Sequence, residues 1–176
     1  MLKPDYYFES VFQIPFIELW KKNIRGLIFD VDNTLTAFDQ DLPPAKIVAL
    51  LKRLEKMGFK LCLLTNNTNG RLSRFNKNLG MPGIANALKP LTRGVKKAMK
   101  QMSTRPDSTA IIGDQLLSDI WAGKNARLTT ILVKPVSDSD FAFVRAKRVL
   151  ERIILRKHYN DGMPVSSDSR SDDFYK

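Results

Sequence analysis

The chain has 176 residues, enough for one domain with a substantial hydrophobic core, and its 43% hydrophobic and 27% charged content is ordinary for a globular protein. No apolar stretch approaches the roughly 20 residues that a membrane-spanning helix requires, and the N-terminus lacks the pattern of a signal peptide. The single cysteine, Cys62, lies in an apolar run, which excludes an intramolecular disulfide and favours a buried thiol over a catalytic one. These features predict a cytoplasmic protein.

The net charge of +11 is unevenly distributed along the chain. Residues 56–106 contain many Lys and Arg residues but no Asp or Glu, and in residues 141–157 Glu151 is the only acid. Such an imbalance favours anionic partners, namely phosphates, acidic lipid or nucleic acid. In the second segment the arginines recur at helical spacing, which predicts a basic C-terminal helix within residues 136–159. This helix is either a solvated surface or a peripheral membrane contact.

The N-terminal half of the chain begins with an aromatic lead-in of mixed pattern, and we expect residues 1–23 to form an extension that packs on the core. Residues 24–30 form an apolar run typical of a buried strand. Pro43 and Pro44 then open a helix whose apolar residues recur at helical spacing, and Gly58 ends it.

The same alternation continues through the second half. The pattern predicts strands over residues 59–64, 84–88, 109–112 and 128–133, and helices over 69–79, 92–102 (with Thr92 as the cap) and 117–124. Strands that alternate with helices at this spacing predict an α/β domain with a parallel sheet, over residues 24–135. Residues 160–176 are rich in Ser, Asp and Gly, which predicts a disordered tail.

Polar side chains follow the predicted strands at the point where each strand ends. The carboxyl ends of parallel strands meet at one edge of a sheet, so these groups can converge there. Carboxylates at that edge suit Mg²⁺, and a hydroxyl and a lysine suit an anionic phosphoryl group. The sequence therefore predicts a phosphoryl-transfer site. Its candidate residues are Asp30, Asp32, Thr65, Lys89, Asp114 and Asp119.

In their order these residues resemble the four motifs of the haloacid dehalogenase (HAD) superfamily: residues 30–34, Thr65, Lys89 before Pro90, and residues 113–119. More narrowly, the chain is similar to the capless phosphatases of HAD subfamily IIIA, a group that includes phosphatidylglycerophosphate phosphatases. The resemblance implies a Rossmann-like three-layer sandwich with a mostly parallel central sheet. Neither of the two intervals in which HAD enzymes insert cap domains holds a sizeable domain here, so we expect an open site.

The resemblance also implies a division of roles. Asp30 attacks phosphorus to give an aspartyl-phosphate, and Asp32 protonates the leaving oxygen and later activates water. Mg²⁺ is held by the carboxylates of Asp30 and Asp114 and by the backbone carbonyl of Asp32. The complete assignment is catalysis by Asp30, Asp32, Thr65 and Lys89, metal binding by Asp30, Asp32 and Asp114 with Asp119 in support, and substrate contacts by Thr34, Asn66 and Lys89.

The resemblance and the open site favour one substrate, phosphatidylglycerophosphate, which would be converted to phosphatidylglycerol at the inner face of a membrane. One alternative is a phosphatase for a soluble sugar, nucleotide or protein phosphate. The second alternative is a nucleic-acid or ribosome-binding module on a HAD scaffold. It is motivated by residues 56–106, which contain no Asp or Glu. For the aromatic residues near the N-terminus, the sequence allows two roles, packing on the core or anchoring at a membrane.

Overall fold

The computed structural model describes residues 2–137. Strands and helices alternate through almost all of this range. The strands are β1 (Tyr6–Phe8), β2 (Gly26–Phe29), β3 (Lys60–Leu64), β4 (Gly83–Ile84), β5 (Thr109–Gly113) and β6 (Thr129–Val133). The helices are α1 (Phe16–Lys21), α2 (Ala45–Lys56), α3 (Asn69–Asn76), α4 (Thr92–Met102) and α5 (Trp121–Asn125). Three short turns, Val11–Gln13, Pro106–Ser108 and the π-helical Leu116–Ile120, complete the elements.

The six strands form one sheet in the order β1-β6-β5-β2-β3-β4, and every pairing is parallel. The predicted α/β fold with a parallel sheet is therefore confirmed. β2 lies between β5 and β3, so the segment that follows it emerges in the middle of the carboxyl edge. That edge is where ligands bind in open α/β sheets.

Helices cover both faces of the sheet, because successive side chains of a strand point to opposite faces. Leu27 and Phe29 of β2 join one hydrophobic core with α1, α2 and α3. Ile28 joins a second core with α4 and α5. All three side chains are fully buried, which explains why β2 is a continuous apolar run rather than an alternating one.

The N-terminal segment is more regular than the sequence indicates. Tyr6–Phe8 pairs with β6 as a sixth, edge strand, where only a packed extension was expected. Asp5 fixes this strand: its Oδ2 accepts hydrogen bonds from the backbone N–H and the Oγ1 of Thr130, both at 2.8 Å. Phe8 and Phe16 of the lead-in lie in the hydrophobic core.

Several element bounds differ from the predicted ones. α3 ends at Asn76 rather than at residue 79, and β4 has only two residues. Thr92 is the first residue of α4 and not its cap; Leu91 holds the cap position without a side-chain hydrogen bond. The predicted helix over residues 117–124 is a π-helical turn followed by the short α5.

Some predictions lie outside the described residues. These are the basic helix over 141–157 and the tail over 160–176. Within residues 2–137, no helix combines the length and the apolar character that crossing a bilayer would require. No large cap domain interrupts the sheet in this range, in agreement with the expected open site.

Candidate active site

The predicted site residues lie just beyond the carboxyl ends of neighbouring strands. Asp30 follows β2, Thr65 follows β3 and Asp114 follows β5. Lys89 comes five residues after β4, behind a loop that includes Asn86 and Leu88 at positive φ. The chain turn after β2 uses Asn33 at φ +61°, a conformation that asparagine tolerates better than most residues.

Lys89 connects the acids of the site. Its Nζ lies 2.6 Å from Asp30 Oδ1 and 2.6 Å from Asp119 Oδ1, and it donates to the carbonyl of Leu64 at 3.0 Å. The lysine is only 7% exposed. Burial alone lowers the pKa of Lys89, but the charges of Asp119 and Asp30 outweigh it, so the net shift is upward and the ammonium form persists.

Asn66 fixes the backbone of Lys89. The Oδ1 of Asn66 accepts from the Lys89 N–H at 2.7 Å, and its Nδ2 donates to the Lys89 carbonyl at 3.2 Å. The peptide between Lys89 and Pro90 is cis. The amide of Asn66 therefore positions the lysine, while its predicted contact with substrate stays a prediction.

Three carboxylates form a cluster that can hold a metal ion. Asp30, Asp114 and Asp119 each offer an oxygen within 4.8 Å of the other two, and all three are buried. Thr34 bridges two of them, because its Oγ1 lies 3.1 Å from Asp30 Oδ2 and 3.3 Å from Asp114 Oδ1. Buried carboxylate oxygens are the ligands that suit Mg²⁺.

The charge balance of this cluster favours a bound cation. Burial raises the pKa of Asp30 to about 7, although the positive charge of Lys89 works in the opposite direction. Lys89 contacts Asp30 and Asp119, and one lysine does not offset the charge of three carboxylates. A divalent cation would favour the ionised acids.

Gly113 allows Asp119 to reach the cluster. A side chain at this last residue of β5 would collide with Cβ, Cγ and Oδ2 of Asp119. Asp119 is also held by the backbone N–H of Gln115, which donates to Oδ2 at 3.2 Å. The turn after β5 thus folds back tightly enough to bury the acid beside Lys89.

Asp32 has different neighbours from the other acids. Its Oδ2 accepts from Thr65 Oγ1 at 3.2 Å and from Asn67 Nδ2 at 3.3 Å. Its Oδ1 lies 3.1 Å from Nε and 3.0 Å from Nη2 of Arg71. Asp30 and Asp32 therefore differ in their cationic partners. Asp30 contacts Lys89 inside the acid cluster, and Asp32 contacts Arg71 beside that cluster.

Sequence reasoning missed Arg71, which was counted only among the basic residues. It is 5% exposed and belongs to the buried side of α3 together with Leu72 and Phe75. A signal was present, because Arg71 is four residues before Phe75 and so shares the apolar side of the helix. A buried arginine at such a position requires an acidic partner.

The predicted residues thus divide into two adjoining groups. Asp30, Asp114, Asp119, Lys89 and Thr34 are linked through hydrogen bonds and the acid cluster. Asp32 and Thr65 form the second group with Arg71 and Asn67. The predicted metal set included the backbone carbonyl of Asp32, and the side-chain cluster itself contains Asp119 instead of Asp32.

Comparisons with known proteins agree on one family. Residues 36–127 match the family model described as "haloacid dehalogenase-like hydrolase". The chain is 34% identical over 152 residues to the probable phosphatase YqeG of Bacillus subtilis, covering 86% of this chain and 88% of that protein. It is 27% identical over 143 residues to the chloroplastic phosphatidylglycerophosphate phosphatase 1 of Chlamydomonas reinhardtii, covering 75% of this chain and about half, 53%, of that protein.

A solved structure shares the fold. The cobalt-bound deoxy-D-mannose-octulosonate 8-phosphate phosphatase of Haemophilus influenzae superposes with a TM-score of 0.51 at 21% identity, covering 77% of this chain and 89% of the other. The predicted Rossmann-like architecture without a large cap is confirmed by this likeness and by the sheet topology.

Proposed function

This chain belongs to the haloacid dehalogenase-like hydrolases and is a phosphatase of that family, and we propose that it hydrolyses phosphate monoesters through Asp30 with the help of Mg²⁺. The observation on which the proposal rests is the buried group of Asp30, Asp114 and Asp119 around Lys89. This group combines a nucleophilic carboxylate with a fixed cation and oxygen ligands for a metal.

In the first step an Oδ atom of Asp30 bonds to phosphorus and the bond between phosphorus and the leaving oxygen breaks. The protonated carboxyl of Asp32 gives its proton to that oxygen. In the second step the Asp32 carboxylate takes a proton from water, whose oxygen bonds to phosphorus as the bond to Asp30 breaks. The products are the alcohol, inorganic phosphate and the original Asp30 carboxylate.

The remaining residues stabilise charge and orientation. Lys89 and the hydroxyl of Thr65 would bind the phosphoryl oxygens, and Thr34 and Asn66 would hold Asp30 and Lys89 in place. Mg²⁺ would be held by Asp30 and Asp114, with Asp119 in support, and would neutralise negative charge on the phosphoryl group.

We further propose phosphatidylglycerophosphate as the substrate, at a membrane surface. One support is the relative from Chlamydomonas reinhardtii whose name carries this activity. Another is the exposure of two large apolar side chains that flank Lys89, Leu88 (64% exposed) and Leu91 (61% exposed). A soluble phosphate monoester is the alternative substrate. A nucleic-acid-binding role would explain the basic residues of α4, but it gives no reason for the buried acids.

The Asp30→Asn variant tests the reaction. We expect turnover to fall at least a thousandfold on every substrate, because the amide oxygen is a far weaker nucleophile than the carboxylate. Release of inorganic phosphate from phosphatidylglycerophosphate in mixed micelles, and from a panel of soluble sugar and nucleotide phosphates, is measured with Mg²⁺ and with EDTA. The conservative control is Asp39→Asn, at an acid outside the cluster.

Near-normal turnover by Asp30→Asn would refute the mechanism. Turnover of the soluble panel but not of the lipid would refute the lipid substrate and leave the mechanism intact. Activity that is equal with EDTA and with Mg²⁺ would refute the metal requirement.

A further inference from the structure

The position of Asp32 indicates where the alcohol part of the substrate lies. As the proton donor, Asp32 must come within hydrogen-bond reach of the leaving oxygen. The alcohol therefore extends from the phosphoryl group past Asp32, on the side where Arg71 and α3 stand. This inference rests on the proposed function, since it takes the role of Asp32 from it.

Two arginines of α3 lie on that side. Arg71 contacts Asp32 through Nε and Nη2, and its Nη1 lies 3.4 Å from Asp41 Oδ1. Arg74 places its Nε 3.0 Å from the same Asp41 oxygen. The two guanidinium groups are three residues apart on the helix and so face the same way. A single carboxylate oxygen is shared between them.

The shared carboxylate belongs to an exposed residue. The side chains of Asp41 and Arg74 are both 56% exposed, so their ion pair is in contact with solvent. Exposed ion pairs of this kind contribute little to stability and exchange readily. Arg71, in contrast, is buried, and in residues 2–137 its Nη2 has no hydrogen-bond partner despite the ion pair with Asp32. The donors that another anion could reach are therefore those now paired with Asp41, namely Arg71 Nη1 and the guanidinium of Arg74, because Arg71 Nη2 is buried beside Asp32.

We propose that Arg71 and Arg74 form a subsite for a second anionic group, a phosphodiester, carried by the alcohol part of the substrate, and that Asp41 occupies this subsite when no substrate is bound. Arginine suits this role because its planar group makes paired hydrogen bonds to phosphate oxygens. The preferred substrates are then phosphate monoesters whose leaving alcohol contains a phosphodiester.

The test compares two lipid-free substrates that differ in this group. Deacylated phosphatidylglycerophosphate carries the phosphodiester, and glycerol 3-phosphate does not. We expect the wild-type kcat/KM to be higher for the first. In Arg74→Gln the ratio of the two kcat/KM values should fall roughly tenfold, the worth of one charge-assisted hydrogen bond. Asp41→Asn should raise the ratio, because the competing carboxylate is removed.

Lys77→Gln is the matched control, since it removes the same charge immediately after α3, at an exposed residue with no ion pair among those found in residues 2–137. It should leave the ratio unchanged. Binding of glycerophosphoglycerol, the alcohol product of the deacylated substrate, is measured by calorimetry without turnover and should weaken in Arg74→Gln and not in Lys77→Gln.

The outcomes separate the two proposals. If glycerol 3-phosphate is hydrolysed but the wild-type ratio is one, or if Arg74→Gln keeps the wild-type ratio, the subsite is refuted and the reaction stands. If no phosphate monoester is hydrolysed, the proposed function itself fails. Equal kcat/KM for the deacylated pair, together with a higher kcat/KM for dioctanoyl phosphatidylglycerophosphate than for its deacylated form, would also refute the subsite and assign recognition to the acyl chains.

Discussion

Lys89 and Asp30 illustrate how one buried pair can set both the charge and the chemistry of a site. The lysine stays charged because two carboxylates contact it within 2.6 Å. Asp30 is in the opposite position: burial and the neighbouring acids raise its pKa and favour its neutral form, and the positive charge of Lys89 works against them. The proposed nucleophile must be ionised, and additional positive charge at the site would favour that form.

This imbalance predicts how stability depends on pH when no metal is present. The pKa of Asp30 is about 7 in the folded chain and close to 3.8 in the unfolded chain. Between these values the folded chain holds a proton that the unfolded chain has lost, so the free energy of unfolding decreases as pH rises through this window. The Asp30→Asn variant has no carboxyl group at this position, so its free energy of unfolding should not show this decrease. In EDTA, urea unfolding should show the variant gaining stability relative to wild type from pH 5 to pH 8.

Mg²⁺ should reverse the trend for the wild type, because a cation favours the ionised carboxylate. At pH 7.5 we expect Mg²⁺ to raise the melting temperature of the wild type by several degrees and that of Asp30→Asn by much less. Parallel pH profiles for the two proteins in EDTA would contradict the assignment of the raised pKa to Asp30.

At the scale of elements, the turn between β5 and α5 shows how backbone geometry builds the site. The π-helical turn Leu116–Ile120 brings Asp119 back over the end of β5. The approach is so close that no side chain fits at Gly113. The π-helical turn therefore requires glycine at position 113 because a side chain would not fit there, and not because the backbone has an unusual φ angle.

Gly113→Ala should displace Asp119 and weaken the proposed metal site. We expect a lower melting temperature, by several degrees, and loss of most of the stabilisation that Mg²⁺ provides, since the added methyl group forces Asp119 away from Lys89. Differential scanning fluorimetry with and without Mg²⁺ measures both effects. Gly70→Ala is the control, because a methyl group there meets Arg74 Nη1 at 3.6 Å and Thr68 Oγ1 at 4.0 Å, both ordinary contact distances. A full response to Mg²⁺ in Gly113→Ala would be evidence against this role.

The sequence predicts the alternation of elements well because β2, β3, β5 and β6 are short apolar runs between glycine, proline and polar signals. It does not predict β1. Tyr6–Phe8 is too short and too mixed to stand out, and it becomes a strand through pairing with β6, more than 120 residues later in the chain. Arg71 was missed for a related reason, because its partner Asp32 is 39 residues away and only the tertiary fold brings them together.

At the scale of the whole molecule, exposed apolar side chains concentrate in the segments that follow the carboxyl ends of the strands. Most of the exposed large hydrophobic residues follow a strand end: Phe38 and Leu42 after β2, Leu88 and Leu91 after β4, Trp121 after β5 and Val136 after β6. Ile17, in α1, is the exception among the described residues. The basic residues of α4 begin beside the same edge and are exposed: Arg93, Lys96, Lys97 and Lys100.

An apolar edge with adjacent basic residues is the arrangement that binds an anionic bilayer. Leu88 adds a second argument, because it is a large side chain at φ +54°, where asparagine would be less strained. Asn at this position should therefore not lower the stability of the fold. A costly and exposed leucine beside Lys89 is explained if it inserts into the substrate's membrane.

The double variant Leu88→Asn/Leu91→Asn tests this explanation. Partial transfer of two leucine side chains from water into lipid is worth about 1–3 kcal/mol, so activity on phosphatidylglycerophosphate in mixed micelles, and cosedimentation with anionic vesicles, should fall roughly tenfold or more. Activity on the deacylated substrate should be much less affected, because that substrate offers no apolar phase. Ile17→Asn, which removes an exposed apolar side chain from α1, is the matched control and should bind vesicles as the wild type does. Equal losses on the micellar and the deacylated substrate would instead mean that the leucines shape the site itself, and the membrane contact would then be refuted.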